Sequence, residues 1–207
     1  MERYGKTGIV VVAFAFSKTK DEMGSQTMAG LKKSMNLFLD MTKHGEDVEI
    51  ACSGMGFLPK SSPKVFQKKP MYEWIHEYLA SQNREDLFPR IRYLTDISED
   101  WAFYDKTCGN ALEILRLAKE GHWVNIIVCD RPGHWYRLNI ALRYISKLTG
   151  MDVDVTYVPV DIDGSDNGQL VTKYRLVYWL YELANLWFYQ PFQLAHRRDG
   201  FKRILQG

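Results

Sequence analysis

Short apolar runs rich in β-branched residues constrain the fold of this chain more than any other feature. The first run, IVVVAFAF at 9–16, is apolar at every position, as expected of a strand buried on both faces of a sheet. Four further runs predict strands at 48–52, 90–95, 124–129 and 153–160. Apolar residues at helical spacing predict helices at 26–41, 71–79, 107–119, 135–148 and 170–189.

This alternation of strands and helices favours a mostly parallel sheet, because consecutive parallel strands need a crossover connection. We therefore predict a three-layer α/β/α Rossmann-like fold, in which a sheet of about five strands carries helices on both faces. The 207 residues suit a single α/β domain spanning 1–207. Within that domain, 8–160 would form the core, and 170–207 would form an aromatic C-terminal helix followed by a basic tail.

Charge and composition restrict the classes of partner. The formal net charge is +2, which gives no reason to expect a nucleic-acid partner. We recognise neither a signal peptide nor an apolar stretch long enough for a transmembrane segment, so the expected compartment is the cytoplasm. The three cysteines lie in or beside apolar stretches without a CxxC pair, which predicts buried thiols.

Aromatic residues are concentrated near the C-terminus. They make up 14% of the chain, and the densest cluster lies at 174–192. A helix that is apolar nearly all round is usually buried in a core or in a subunit contact, so this helix could support a homodimer. The weaker alternative is docking of the helix on a membrane surface with the help of Arg197, Arg198, Lys202 and Arg203.

Parallel sheets of this kind bind ligands outside the carboxyl ends of their strands, so the loops after the predicted strands are the places to search. None of them carries a GxGxxG or GxxxxGK[ST] phosphate fingerprint, a GxSxG elbow, or the spacing of a calcium or zinc site, and no metal is predicted. Ser53, Gly54 and Gly56 would let backbone N–H groups approach an anion, or would only form a tight turn. Asp161 could contact a ligand hydroxyl, or could belong to a polar turn.

The strongest local signal is the segment DRPGHWYR at 130–137, where the fourth strand turns into a helix. It places His134 near the helix N-terminus and Arg137 one turn later on a similar face. Together with the exposed N–H groups of the helix, these side chains form a natural site for a phosphate or carboxylate. His134 could instead act as a general acid or base. The structural alternative is that His134 caps the helix and Arg137 is solvated.

The order of these signals resembles that of the DUF218 (YdcF-like) family. The residues that carry the resemblance are the Ser53-Gly54 turn, Glu73 in the following helix, the Thr-x-x-Asn-Ala segment at 107–111, and the His-x-x-Arg segment at 134–137. The likeness runs over about 8–160, although the first helix lacks the arginine with which that of the family usually begins. The resemblance implies a bacterial protein with a polar pocket at the carboxyl edge of a Rossmann-like sheet. Family members are associated with envelope biogenesis, and one is associated with binding S-adenosylmethionine.

Two functions from different classes fit these observations. The first is a hydrolase or transferase acting on a small anionic, phosphorylated or nucleotide-like ligand, in which Arg137 holds the anion, His134 moves a proton and Glu73 orients Arg137 or contacts a hydroxyl. The alternative is a non-catalytic module that binds S-adenosylmethionine or a nucleotide, with Trp135 or Tyr136 stacking on the base. The candidate catalytic residues are His134, Arg137 and Glu73, and the candidate ligand-binding residues are Ser53, Gly54, Gly56, Thr107, Asn110, Asp130 and Asp161.

Overall fold

A five-stranded sheet lies at the centre of the structure. The computed structural model describes residues 5–12, 23, 25–53, 68–94, 106–160 and 175–206. The strands are β1 Lys6–Val12, β2 Val48–Ser53, β3 Ile91–Arg92, β4 Trp123–Asp130 and β5 Asp154–Pro159. Their order across the sheet is β3-β2-β1-β4-β5, and every neighbouring pair is parallel. The prediction of a mostly parallel sheet of about five strands is confirmed.

Helices cover both faces of the sheet, as predicted. The helices that alternate with the strands are α1 Ser25–Lys43, α2 Lys68–Ser81, α3 Lys106–Gly121 and α4 Pro132–Thr149. Alternate side chains of β1 point to opposite faces. Ile9 and Val11 pack with residues of α1 and α2, whereas Val10 and Val12 pack with residues of α3 and α4. Burial on both faces explains why the part of this strand at 9–12 is apolar at every position.

Proline and glycine set the ends of α4. Pro132 is its first residue, a position where the missing N–H of proline costs nothing. Gly150 follows the last residue in a left-handed conformation, with φ at +72°, and its N–H donates to the Ser146 carbonyl. Glycine adopts this conformation at the least cost, so the helix ends here. Because α4 begins at Pro132, its first turn lies directly after the carboxyl end of β4, which is Asp130.

The third strand is shorter than its sequence suggests. A strand was predicted over 90–95, but only Ile91 and Arg92 pair with β2, opposite Ile50 and Ala51. A 3₁₀ turn at Glu85–Arg90, with Pro89 inside it, precedes the strand. Because β3 is at the edge of the sheet and pairs on one side only, little holds a longer strand in place. Residue 95 lies outside the described residues.

Over the described residues 175–206, the C-terminal region forms three helices rather than one helix and a tail. The start of the predicted helix, 170–174, lies outside the described residues. The described part begins with α5 Arg175–Ala184, continues through a π-helical turn at Asn185–Tyr189, and ends with α6 Gln190–His196 and α7 Arg198–Gln206. Pro191 was expected to follow the helix, but it is the second residue of α6, where proline is tolerated. The predicted basic tail is the amphipathic helix α7, which buries Phe201 and Leu205 against α3 and α4.

The strand order contains a topological switch point between β1 and β4. The chain leaves β1 towards β2 on one side, and β4 and β5 lie on the other side, so the direction of winding reverses between β1 and β4. In open parallel sheets, ligands bind in the crevice at this switch point, outside the carboxyl ends of the strands. Ser53 ends β2 and Asp130 ends β4, so both lie on that edge.

Within the part of the chain that the structure describes, no helix combines the length and apolar character needed to cross a bilayer.

Candidate functional site

Asp130 and His134 form a buried pair where β4 turns into α4. Arg131 is extended between them, and the helix begins at Pro132, so His134 lies one turn above Asp130. The His134 Nδ1 atom is 2.6 Å from Asp130 Oδ2, and the Arg131 backbone N–H donates to Asp130 Oδ1 at 2.8 Å. A neutral His134 therefore donates its Nδ1–H to the carboxylate and carries its lone pair on Nε2. This is the orientation that a histidine base requires.

The hydroxyl of Thr107 lies between His134 and Arg137. Thr107 is fully buried in the first turn of α3. Its Oγ1 accepts a hydrogen bond from Arg137 Nη1 at 2.7 Å and lies 3.4 Å from His134 Nε2. Since Thr107 accepts from the guanidinium, its own hydrogen can point towards the imidazole. The first turns of α3 and α4 are thereby joined through three side chains at the carboxyl edge of the sheet.

Glu182 of α5 neutralises Arg137. Its Oε2 accepts from Arg137 Nε at 2.5 Å, and both side chains are buried. The ring centroid of Tyr181 lies 6.0 Å from the guanidinium carbon of Arg137. Glu73, which was expected to orient Arg137, is exposed on α2. Glu182 is the one acidic residue in the apolar and aromatic sequence of α5, and that isolated charge is the signal by which sequence reasoning could have found it.

A polar stripe on α3 continues the site towards β2. Thr107, Asn110 and Glu113 follow one another at three-residue spacing and are all buried. Three-residue spacing places side chains on one side of a helix. Glu113 Oε2 accepts from the Ser53 hydroxyl at 2.8 Å, which connects the stripe to the carboxyl end of β2. Glu113 was not predicted, although its three-residue spacing from Asn110 and Thr107 was visible in the sequence.

The start of α4 presents backbone donors. Arg131 occupies the N-cap position, and its side chain makes no capping hydrogen bond. Pro132 has no N–H, so the first N–H groups of the helix belong to Gly133 and His134. N–H groups at a helix N-terminus favour anions, because the helix dipole adds to their own partial charge. The donors that sequence reasoning assigned to the DRPGHWYR segment therefore lie beside the Asp130–His134 pair.

Five charged side chains are buried around this edge of the sheet. They are the carboxylates of Glu113, Asp130 and Glu182 and the guanidinium groups of Arg131 and Arg137. Burying charge is costly unless each group is paired, so a fold that needed only stability would use apolar residues here. The cluster can hold a polar ligand, pass a proton between Thr107 and a His134 that Asp130 orients, and stabilise negative charge near Arg137 and the α4 N-terminus.

Tyr72 and Cys129 lie near the cluster, and we assign neither of them a role in proton transfer or ligand binding. The Tyr72 hydroxyl accepts from the Cys52 N–H at 3.0 Å and donates to the Arg92 carbonyl at 2.6 Å. Burial raises the pKa of Tyr72 above its usual range, and the nearby Cys52 and Glu113 raise it further. Burial also raises the pKa of the Cys129 thiol to about 11. Both groups therefore stay protonated near neutral pH and serve the packing of the strand ends.

The structure brings together six of the predicted site residues. Ser53, Thr107, Asn110, Asp130, His134 and Arg137 lie on the strand ends and first helical turns of one edge. Glu73 is exposed on α2. Gly54, Gly56 and Asp161 lie outside the described residues. Among the residues that are described, no group of three or more His, Cys, Asp or Glu side chains could hold a metal ion.

No protein-family model matches the chain. No curated protein matches it either. The geometry of the Asp130, His134, Thr107, Arg137 and Glu182 side chains is therefore the basis on which a function can be argued.

Proposed function

We propose that the protein is a hydrolase or transferase that binds a small anionic, phosphorylated or nucleotide-like ligand at the carboxyl edge of β4. The observation that carries this proposal is the continuous hydrogen-bonded series from Asp130 through His134 and Thr107 to Arg137. It combines an oriented base, a hydroxyl and a cation at the edge where sheets of this type bind ligands. The resemblance to the DUF218 family rests on Gly54 and Glu73 as well, but its residues Ser53, Thr107, Asn110, His134 and Arg137 support the same edge.

Each part of the site would have a distinct role. Arg137 and the first N–H groups of α4 would bind the anionic group, because a guanidinium and a helix N-terminus both stabilise negative charge. His134 Nε2 would accept a proton in the reacting complex and return it later, while Asp130 keeps the imidazole oriented. Asn110 lies further along the polar stripe, Ser53 lies at the end of β2 beside Glu113, and both would bond to the rest of the ligand.

Calorimetric titration with inorganic phosphate tests the anion site. We expect Arg137→Ala to weaken phosphate binding at least about tenfold, since a hydrogen bond to a charged group contributes roughly 1.5–3 kcal/mol. Arg143→Ala is the matched control, because Arg143 is an exposed arginine on the same helix whose Nε donates to Asn139. Circular dichroism would show that both variants remain folded. Equal affinity of the wild type and Arg137→Ala would rule out this anion site.

A non-catalytic module that binds a nucleotide or S-adenosylmethionine is the second candidate. The strand order supports it, because nucleotides bind Rossmann-like sheets at the switch point, which here lies between β1 and β4. Trp135 stacks on Tyr157 with ring centroids 4.7 Å apart, so the exposed Tyr136 is the better placed of the two to meet a ligand ring. Thermal stabilisation by ATP or S-adenosylmethionine without product formation would favour this candidate over an enzyme.

We also propose that the protein acts in the bacterial cytoplasm and forms a homodimer. Its three cysteines are buried thiols, which suits a reducing compartment. Large apolar side chains of α5, among them Leu176 and Leu180, are exposed. Exposed apolar surface of this kind is typical of a protein contact. The α5 surface is therefore the expected dimer contact.

A further inference from the structure

We infer that Thr107 is the nucleophile of the site and that it forms a covalent phosphothreonine intermediate with a phosphate monoester. The inference rests on the proposed function, since it assumes that the ligand is a phosphate ester that reacts. It goes further by assigning the attacking atom, the reaction class and the order of the steps. Sequence reasoning gave Thr107 only a hydrogen-bonding role.

The arrangement around Thr107 Oγ1 is that of an activated hydroxyl. His134 Nε2 lies 3.4 Å away, and the opposite ring nitrogen is held at 2.6 Å by Asp130. A hydroxyl beside a histidine that is itself oriented by a carboxylate is the general pattern of an activated serine or threonine. Distances between a nucleophile and its base are often longer without substrate than in the reacting complex. The 3.4 Å separation therefore suits a resting state.

Arg137 selects the class of electrophile. Its Nη1 donates to Thr107 Oγ1 at 2.7 Å, so a guanidinium nitrogen bonds directly to the attacking atom while Glu182 bonds to Nε. A guanidinium at this point stabilises a hydroxyl that is losing its proton, and it favours an electrophile whose own oxygens are negatively charged. A phosphoryl group meets this condition, whereas the carbonyl of an ordinary ester is neutral before attack.

The proposed reaction balances with water as the co-reactant. Thr107 Oγ1 attacks phosphorus, and the hydroxyl proton passes to His134 Nε2. The bond between phosphorus and the ester oxygen breaks, and that oxygen leaves as an alcohol with the proton from His134. Water then attacks the phosphothreonine, and His134 takes a proton from the water. Inorganic phosphate leaves, and the proton returns to Thr107 Oγ1.

Asp130 and Glu182 are positioning residues in this scheme. Asp130 acts through His134, and Glu182 acts through Arg137, to which it bonds at Nε, away from the nitrogen that contacts Thr107. Asp130→Asn would weaken the preference for the Nδ1–H tautomer of His134. Its expected signature is an altered dependence of turnover on pH, which a change of stability alone would not produce.

Acid quenching during hydrolysis of p-nitrophenyl phosphate tests the intermediate. We expect wild-type protein to gain the mass of one phosphoryl group, mapped to Thr107 by peptide mass spectrometry. Thr107→Val keeps the shape of the side chain without the hydroxyl and should lose the adduct together with at least ~100-fold of the turnover. Thr107→Ser should retain both. Thr149→Val removes a hydroxyl that bonds to the Ile145 carbonyl at the far end of α4, and it should behave as wild type.

The outcomes separate this inference from the proposed function. If Thr107→Val hydrolyses the ester as fast as wild type, Thr107 is not the nucleophile, and the proposed ligand site is unaffected. The same conclusion follows if wild type binds phosphate in the calorimeter but neither hydrolyses the ester nor gains a phosphoryl group. If wild type neither binds phosphate nor hydrolyses the ester, both the proposed function and the inference are wrong.

Discussion

Glu49 in β2 is a buried carboxylate that three side chains keep ionised. It lies 2.5 Å from Lys6 Nζ and 2.7 Å from Arg92 Nε, and it accepts from Trp123 Nε1 at 2.8 Å. Burial alone would raise its pKa, but the bonds from Arg92, Lys6 and Trp123 outweigh burial and lower the pKa below its ordinary value. The buried ion pairs of Glu49 with Lys6 and Arg92 therefore differ from a solvated surface salt bridge, which contributes little to stability.

Glu49 makes the stability of the protein depend on pH. A carboxyl whose pKa is lower in the folded state stabilises the fold above its ordinary value of 4.5, and this contribution is lost as the pH falls through the folded value. In urea titrations we expect Glu49→Gln to cost about 1–3 kcal/mol at neutral pH and clearly less in acid. Glu46→Gln, at an exposed position before β2, should change little at either pH. A cost that is the same in acid and at neutral pH would contradict the assignment.

At the residue scale, local pairs could be predicted from the sequence and distant pairs could not. Asp130 and His134 are four residues apart across a strand-to-helix turn, so their proximity follows from the expected secondary structure. Arg137 and Glu182 are separated by 45 positions, and Ser53 and Glu113 by 60. Only the tertiary packing of α3 and α5 decides which carboxylate meets which partner. The prediction that Glu73 would orient Arg137 or contact a ligand hydroxyl came from the order of signals along the chain, which carries no distances.

At the element scale, the strand pair β1–β4 depends on a glycine. A Cβ atom at Gly8 would collide with the indole ring of Trp123, the first residue of β4. The same indole donates to Glu49. The absence of a side chain at Gly8 therefore lets the ring lie flat against β1 and keeps the Trp123–Glu49 bond in place. Gly30 in α1 differs, because a Cβ there would make an ordinary contact 3.4 Å from Val11 Cγ1.

Two glycine substitutions should have opposite effects. We expect Gly8→Ala to destabilise the protein by about 1–3 kcal/mol, since overpacking must displace the Trp123 ring. Gly30→Ala should be neutral or stabilising by up to about 1 kcal/mol, because alanine suits a helix interior better than glycine. Thermal unfolding followed by circular dichroism measures both. A Gly8→Ala variant as stable as the wild type would show that Trp123 does not pack against β1 in this way.

Agreement with the predicted bounds does not follow burial: β1, buried on both faces, begins at Lys6 instead of residue 9, whereas the partly exposed edge strand β5 lies within one residue of the predicted 153–160. β2 and β4 were predicted to within one residue at each end, because their sequences are apolar and bounded by turn residues. The bounds of the short edge strand β3 and of the C-terminal helices were predicted less well. Pro191 and the charges of 196–203 favoured an early helix end and a tail. The burial of Phe201 and Leu205 and the bond from Lys119 Nζ to the Leu205 carbonyl favour a helix instead.

At the scale of the whole molecule, an apolar surface extends over α4, α5 and the π-helical turn. Tyr136 is 56% exposed, Leu176 is 72% exposed and Trp187 is 74% exposed. Exposed apolar side chains that lie together often mark a protein contact. Because α5 also supplies Glu182, a contact on its outer side would rigidify the helix that pairs with Arg137.

Light scattering after size-exclusion chromatography tests the homodimer. Wild-type protein should elute with the mass of two chains, and Leu180→Glu with Trp187→Glu should reduce the mass to that of one, because buried unpaired carboxylates oppose the contact. Ala80→Glu, on the exposed side of α2, is the control and should leave the mass unchanged. A wild-type mass of one chain at all concentrations tested would exclude the dimer.

The bond between Glu182 and Arg137 has a consequence for the order in which the site is completed. During synthesis Arg137 leaves the ribosome 45 residues before Glu182, after the four strands β1 to β4 and shortly before β5. A nascent chain can therefore assemble its sheet while the guanidinium still lacks that carboxylate. Loss of one member of a buried ion pair costs about 3–5 kcal/mol. Proteolytic removal of the last helices would also remove Glu182 and leave Arg137 without that carboxylate, although no residue of the sheet would be cut.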